Sequence, residues 1–303
     1  MRTAYLGTSD FAATVLRRLA RSDHPPALVI SPPDSRRGRG RKLAPPPVAE
    51  AARGLGLELH QTESVNAPES VAALAAAAPD AVAVCAIGQL IGEELLEAYP
   101  MLNVHPSLLP RWRGAAPIER AMMAGDAETG TTILRVSPEL DAGPVALREA
   151  LEIGGDEYFD ELSARLAEQG GELLVRALDL QAAGGLELSE QDEASATYAE
   201  KIEPDERRLD PARDAAELAW KVRALNPHIG THLELKDGER LGVRRARAVS
   251  GGPPRGVIEE RDGRLVLGTA AEGLELEEVQ APGKRAMPAS EFLRGHPVPP
   301  PAQ

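Results

Sequence analysis

Over its first 105 residues the chain alternates short apolar runs with segments of helical period. This alternation restricts the fold more than any other feature. Residues 3–6 form an apolar run that stops at Gly7-Thr8-Ser9-Asp10, after which Val15, Leu16 and Leu19 recur at helical spacing. The pattern repeats as strand 27–30, helix 48–55, strand 57–60, a helix from Pro68, strand 80–86, helix 92–98 and strand 101–105. Strands separated by helices cannot pair as tight hairpins. They pair through crossovers, so the spacing predicts an α/β fold: a Rossmann-like, mostly parallel sheet with helices on both faces. Ligands in such sheets bind beyond the carboxyl ends of the strands. The first strand-to-helix loop holds one glycine, Gly7, so the G-x-G-x-x-G spacing that brings a backbone against pyrophosphate is missing and no nucleotide cofactor is expected.

The second half reads differently. Residues 159–180 carry Leu162, Leu166, Leu173, Leu174 and Leu178 near helical spacing and end before Gly184-Gly185, which predicts a long amphipathic helix closing a first domain at 1–187. Residues 188–211 show no sustained period and mix Ser, Asp, Glu and Pro, the composition of a linker crossing the surface. After a short helix at 215–224, runs at 231–235, 241–248, 256–259, 265–269 and 274–280 are separated by Asp-Gly, Gly-Gly-Pro-Pro and Glu-Gly turns. Five short strands of this kind predict a small C-terminal OB-like β-barrel domain at 212–303.

Charge is distributed unevenly. The net charge is −13, yet from Arg207 onward 16 Lys and Arg face 14 Asp and Glu, so residues 1–206 hold the whole acidic excess. Inside that acidic part, residues 31–45 carry Arg36, Arg37, Arg39, Arg41 and Lys42 against Asp34 alone. A general affinity for nucleic acid is excluded, but a local phosphate contact is not. Aromatics make up 3% of residues, too few for a platform that stacks single-stranded bases. The longest apolar stretches are broken by Pro79 and Asp80 and fall short of the ~20 residues that span a bilayer. The N-terminal apolar run is too short for a secretory signal, so a cytoplasmic location is expected. The single Cys85 leaves no internal disulfide and no cysteine-rich metal site, and no metal is expected.

Chemistry concentrates in residues 102–118. In the strand 101–105, period 2 puts Asn103 and His105 on one face. An amide donor can stabilise an oxyanion, and an imidazole can move protons at neutral pH, a combination suited to acyl or formyl transfer. By themselves an Asn and a His at a strand end are more often structural. A third member is Asp141, in the segment Glu139-Leu-Asp-Ala-Gly-Pro144 after strand 131–136. There it serves either as a turn residue or as the carboxylate that orients His105 and favours its imidazolium form; spacing does not decide between them.

The string NVHPSLLPRWRGAAPIERAMMAGDAETGTTI from Asn103, followed by ELDAGP, resembles the catalytic core of the methionyl-tRNA formyltransferases, within the wider family of formyltetrahydrofolate-dependent formyltransferases. The resemblance extends to YLGTSDFA at the start, GRGRKLAPPPV in the basic loop, TYAEKI around Tyr198, RALNP around Asn226 and APGKRAMPASEFLRG near the end. It implies 10-formyltetrahydrofolate as co-substrate and the methionine of charged initiator tRNA as acceptor. It implies catalytic roles for Asn103, His105 and Asp141 and folate contacts from Ser107, Leu108, Leu109 and Pro110. It also implies that the basic loop, with Arg37, Arg39, Arg41 and Lys42, reaches the tRNA acceptor stem. Arg240, Arg244, Arg245 and Arg247 are candidates for a second phosphate contact, or else plain surface charge. A monomer is expected.

Some positions depart from the family pattern. Pro106 replaces a usual glycine, Ile87 a usual tyrosine, Pro144 a frequent aspartate, and His228-Ile229 a common Trp-Pro pair. None removes a proposed catalytic side chain. Two alternatives remain at this stage: a formyltransferase acting on an amino sugar nucleotide or other small amine, which the basic loop opposes, and a silent tRNA-binding module, which the presence of Asn103, His105 and Asp141 opposes.

Overall fold

The computed structural model describes residues 1–37, 42–236 and 238–302. Contacts group the chain into two compact units. The first comprises Met1–Gly114, Glu128–Glu152 and Ser163–Ala199; the second comprises Ala115–Ala127, Ile153–Leu162 and Glu200–Gln303.

The first unit follows the predicted alternation. Its elements begin β1 (Thr3–Gly7), α1 (Asp10–Leu19), β2 (Pro26–Ser31), β3 (Ser35–Arg37), β4 (Lys42–Ala44), α2 (Pro47–Leu55), β5 (Leu59–Gln61) and α3 (Pro68–Ala77). They continue with β6 (Ala81–Cys85), α4 (Glu93–Ala98), β7 (Met101–His105) and β8 (Arg113–Gly114). After α5 (Pro117–Met123), which falls in the second unit, come β9 (Glu128–Arg135), β10 (Val145–Glu152), α6 (Phe159–Ala182), whose first turn as far as Leu162 groups with the second unit, and β11 (Tyr198–Ala199). Helix α1 starts where Ser9 accepts a hydrogen bond from the Ala12 amide, the side-chain cap expected of a Ser-Asp start.

Seven strands form one sheet in the order β10-β9-β7-β6-β1-β2-β5. β5, β2, β1, β6 and β7 run parallel, while β9 and β10 are antiparallel to their neighbours. Both faces of the central strands are buried, and the side chains sort by parity as period 2 demands. Tyr5, Ala81, Ala83, Cys85, Leu102 and Val104 join α1, α2 and α6 residues in one cluster; Ala4, Leu6, Val82, Val84 and Met101 join α3 and α4 residues in the other. Each fully buried Leu or Ile in these clusters contributes roughly 2 kcal/mol of transfer free energy. Parity puts Asn103 and His105 on the face of Met101, where the second apolar cluster gives out.

Residues 188–211, whose composition reads as a linker, are tied into structure. Tyr198–Ala199 pairs in parallel with Arg113–Gly114, and Ser189 and Val145 exchange both backbone hydrogen bonds. The contacts therefore assign this stretch as far as Ala199 to the first unit, and place 115–127 and 153–162 in the second.

The second unit adds α7 (Ala215–Leu225), β12 (Thr231–Glu234), β13 (Arg240–Val249), β14 (Ile258–Arg261), β15 (Arg264–Gly268), β16 (Gly273–Gln280), β17 (Met287–Pro288) and α8 (Ala289–Gly295). All sheet pairings here are antiparallel, in the order β12-β13-β16-β15-β14 with β17 also on β16. The strand spacing predicts a barrel; among the described residues no hydrogen-bonded pair joins β12 to β14, and the sheet stays open. Its apolar face packs against Leu218 and Val222 of α7 and Phe292 of α8. That cover removes the need for closure, because the face that a barrel would turn inward is already buried.

No helix among the described residues is long and apolar enough to cross a membrane. Cys85 is fully buried beside the Tyr5 hydroxyl, and burial pushes its thiol up to about 12. The reactive thiolate is therefore scarce at pH 8. Native protein should resist a disulfide reagent such as 5,5′-dithiobis(2-nitrobenzoate) at pH 8 for as long as the first unit stays folded, and should react with one equivalent in denaturant; rapid native labelling would contradict this packing.

Candidate active site

Strand β7 delivers its side chains as its sequence requires. Asn103 is partly exposed, and His105, the last residue of the strand, keeps 5% of its side-chain surface. Asp141 arrives from a distance. Strand β9 runs antiparallel to β7, pairing Leu102 with Arg135 and His105 with Thr132, so the chain leaves β9 near the start of β7 and must fold back to meet Asn103 and His105. The loop does this by two local devices. Asp141 takes a left-handed backbone at φ +51, and Gly143 lies so close to the Arg135 carbonyl that any β-carbon there would collide with it.

The three groups converge on the carboxylate. Asp141 Oδ1 accepts from Asn103 Nδ2 at 3.3 Å, and Asp141 Oδ2 lies 3.5 Å from His105 Nδ1. The same Oδ2 accepts from the Gly114 amide at 3.0 Å. Gly114 sits at φ +123 with its α-carbon against the Ala199 carbonyl, where a β-carbon would come within 2.8 Å of that oxygen; only glycine fits and still presents its N–H to Asp141. The far ring nitrogen of His105, Nε2, is 2.9 Å from the Trp112 carbonyl. A carbonyl only accepts, so Nε2 carries a proton, and Nδ1 is the nitrogen left to exchange one.

The residues 107–110 form a tight turn after β7. Ser107 and Leu109 are fully buried; Ser107 Oγ donates to the Arg111 carbonyl at 2.6 Å, and Thr132 Oγ1 donates to the Ser107 carbonyl at 2.6 Å while accepting from the Leu109 amide at 3.1 Å. The Leu109–Pro110 peptide is cis. Leu108 and Pro110 are partly exposed, so in this turn they are the side chains open to a ligand. In the basic loop, Ser35–Arg37 pairs with Lys42–Ala44 as a hairpin and Lys42 is exposed. Arg39 and Arg41, and the side chain of Arg37, lie outside the described residues.

Three contributors were not signalled by the sequence pattern. They are the Gly114 amide, the Trp112 carbonyl, and an Arg113–Gln191–Glu193 chain. Arg113 Nε donates to Gln191 Oε1 at 3.0 Å, and its two terminal nitrogens donate to the two oxygens of Glu193 at 2.9 and 2.7 Å. The hydrogen bonds it donates to Glu193 hold the Arg113 guanidinium above its ordinary range, and the same bonds lower the Glu193 carboxyl. Nothing in the polar run Glu190-Gln-Asp-Glu193 distinguishes it from a solvated loop; a buried arginine at 113 is the only hint, and burial is not written in the sequence. No group of three or more His, Cys, Asp or Glu able to hold a metal occurs among the described residues.

The arginines of β13 are engaged within their own unit. Arg247 pairs with Glu275 at 2.7 Å and Glu277 at 3.2 Å, Arg240 with Glu234 at 3.1 Å, Arg244 donates to Asn226 and Gln280, and Arg245 stacks over the Tyr158 ring. Such pairing favours a structural role over a phosphate contact.

An amide, an imidazole and a carboxylate meeting on the last parallel strand of an α/β sheet have the chemistry that acid–base group transfer requires. Comparison with known proteins narrows the class. The Formyl transferase family model matches residues 1–178, and the model for the formyl transferase C-terminal domain matches residues 201–297. The chain is 43% identical over 300 residues to the methionyl-tRNA formyltransferase of Methylococcus capsulatus, covering 98% of this chain and 97% of the relative. It is 41% identical over 307 residues to that of Moorella thermoacetica, covering 99% and 98%. Among solved structures, the sugar 3N-formyl transferase WlaRD matches with a TM-score of 0.68 at 13% identity, over 94% of this chain and 99% of that one. HypX from Aquifex aeolicus matches with a TM-score of 0.66 at 20% identity, over 97% of this chain and 48% of that one. These two likenesses are likenesses of fold. The chain belongs to the methionyl-tRNA formyltransferase family.

The geometry at His105 carries its own prediction. In 15N-labelled protein, the neutral His105 ring should be the Nε2-protonated tautomer; an Nδ1-protonated neutral tautomer would show that the Trp112 contact does not hold the ring.

Proposed function

We propose that this protein transfers the formyl group of 10-formyltetrahydrofolate to the α-amino group of methionine on initiator methionyl-tRNA, giving N-formylmethionyl-tRNA for translation initiation. The observation that carries the reading is the convergence of Asn103, His105 and Asp141 on one point of the sheet. Membership of a family whose relatives match over nearly their whole length supports the choice of substrates. Formyltransferase chemistry of this kind takes 10-formyltetrahydrofolate as a co-substrate and consumes it; it is not a resident group.

Bond changes balance simply. The neutral amine attacks the formyl carbon and forms a C–N bond; an oxyanion develops; the bond to folate N10 breaks; the amine proton ends on N10. An α-amine with a pKa near ~7.7 is partly neutral at physiological pH, so a modest proton acceptor suffices. Asn103 gives one amide hydrogen to Asp141, and the second is available to the oxyanion. Asp141 keeps the Asn103 amide and the His105 ring turned toward one volume, and its charge stabilises the imidazolium that forms when Nδ1 takes a proton. His105, or a water it orders, passes the proton to N10. A donor and a charged pair prepositioned in a largely water-excluded site cost no reorganisation as charge develops.

Around this core, Ser107, Leu108, Leu109 and Pro110 are assigned to folate, with Leu108 and Pro110 making the direct contacts. Arg37, Arg39, Arg41 and Lys42 are assigned to the tRNA acceptor stem. Residues 1–187 act as the catalytic part, 188–211 as a connecting strap and 212–303 as the tRNA-binding part of a cytoplasmic monomer.

Transfer of labelled formyl from 10-formyltetrahydrofolate tests the reading directly, with methionyl initiator tRNA, free methionine and an amino sugar nucleotide as parallel acceptors. The charged tRNA alone should be labelled. Asn103→Ala or His105→Ala should lower turnover a hundredfold or more with tRNA affinity nearly unchanged. Affinity for tRNA should fall steeply between low and moderate salt, because each neutralised phosphate releases a counterion. Labelling of a small amine in place of tRNA, with salt-insensitive acceptor binding, would overturn the assignment.

A further inference from the structure

The loop that carries Asp141 has an accounting problem. Its backbone is left-handed at Asp141, and the carbonyls of Asp141 and Gly143 both need donors that the turn itself does not provide. One side chain answers both. Gln191 Nε2 donates to the Asp141 carbonyl at 2.8 Å and to the Gly143 carbonyl at 2.7 Å. The other end of the same amide, Oε1, accepts from Arg113 Nε at 3.0 Å. Arg113 is fixed in turn: 3% of its side chain is exposed, and Glu193 grips its fork with both oxygens.

The rest of segment 189–199 is pinned at each end. Ser189 and Val145 exchange backbone hydrogen bonds at the start of β10. Thr197 Oγ1 accepts from the Trp112 amide at 2.9 Å, the residue whose carbonyl holds His105, and the Thr197 carbonyl accepts from the Arg113 amide at 2.9 Å. The segment thus touches the backbone behind both partners of the Asp141–His105 pair.

Only a primary amide fits this place. A carboxylate would set an acceptor against two carbonyls, a lysine could not accept from Arg113, and asparagine is a methylene too short to span the gap. We propose that Gln191 is a positioning residue for the Asp141 carboxylate, holding the loop in the backbone conformation from which Asp141 reaches Asn103, His105 and Gly114 together. This rests on the formyl-transfer reading of the site, and Gln191 does not itself touch the reacting atoms.

The test uses the full chain with 10-formyltetrahydrofolate and methionyl-tRNA. Gln191→Glu keeps size and the Arg113 contact while removing both donors; Gln191→Leu removes donors and acceptor without adding charge. Each should lower kcat tenfold or more with both KM values within twofold of the parent. Each should also leave the urea midpoint nearly unchanged and move the 15N resonance of His105 Nδ1. On an Asp141→Asn background, Gln191→Glu should cost less than a further twofold, because a residue that acts through a carboxylate has nothing to act on once it is gone. Full multiplicative losses in the double variant, a change confined to KM, unchanged kcat, or failure of both variants to fold would each overturn the proposal. If the parent protein formylates no tRNA yet the His105 resonance still moves in Gln191→Glu, the substrate assignment falls and the positioning role stands.

Discussion

A carboxylate with only a tenth of its side-chain surface in contact with water must have its charge answered by fixed donors, or it will be neutralised or expelled. Asp141 is answered by the Asn103 amide from β7 and a backbone N–H from β8, and His105 Nδ1 at the end of β7 lies 3.5 Å away, a donor once it takes a proton. All three groups come from one short stretch of chain, residues 103–114, while the acceptor comes from another strand's loop. The site is therefore an interlock: neither segment has its polar groups satisfied without the other. Gly114 lies against the Ala199 backbone and Gly143 against the Arg135 carbonyl, each too close for any other residue.

The parallel sheet provides the rigid frame. β7 is held by β6 on one side and β9 on the other, and Leu102 and Val104 anchor its far face in the larger apolar cluster. Asn103 and His105 then project from a strand that cannot rotate without exposing two buried side chains, at a cost of about 4 kcal/mol for the pair. The antiparallel turn at β9 looks like an irregularity in an otherwise parallel sheet. It has a consequence for the site, since it is what sends the chain back along β7 with Asp141 in its loop. The second unit follows a different logic: the arginines of β13 are spent on its own glutamates, on Asn226 and Gln280, and on the Tyr158 ring. Charge counted along the sequence therefore overstates the charge available to a nucleic acid.

Much of this was legible in the sequence, for reasons that are local. Apolar runs of five residues between helical segments have one economical solution, and β1, β2, β6 and β7 lie where period and length put them. Asn103 and His105 were readable as a pair because a strand's period is two. Asp141 was readable either as a turn residue or as a partner of His105, and spacing alone does not choose between the two. The 188–211 segment misleads for a physical reason: its order comes from Gln191, Thr197 and Tyr198 bonding to residues some 50 to 85 positions earlier, and composition carries no record of such partners. The open C-terminal sheet was likewise not legible, because strand spacing cannot say whether a helix will cover the face that a barrel would enclose.

What the sequence determined by itself is everything that depends on neighbours within a turn or a strand: the elements, their faces, the caps and the identity of the chemical groups. Only the tertiary structure decided that the Asp141 carboxylate stands between Asn103 and His105, that Trp112 holds the ring from the other side, and that Gln191 braces the loop. Each of those is a hydrogen bond between distant segments, and its free energy is gained only after packing has already removed water and brought the partners within about 3 Å.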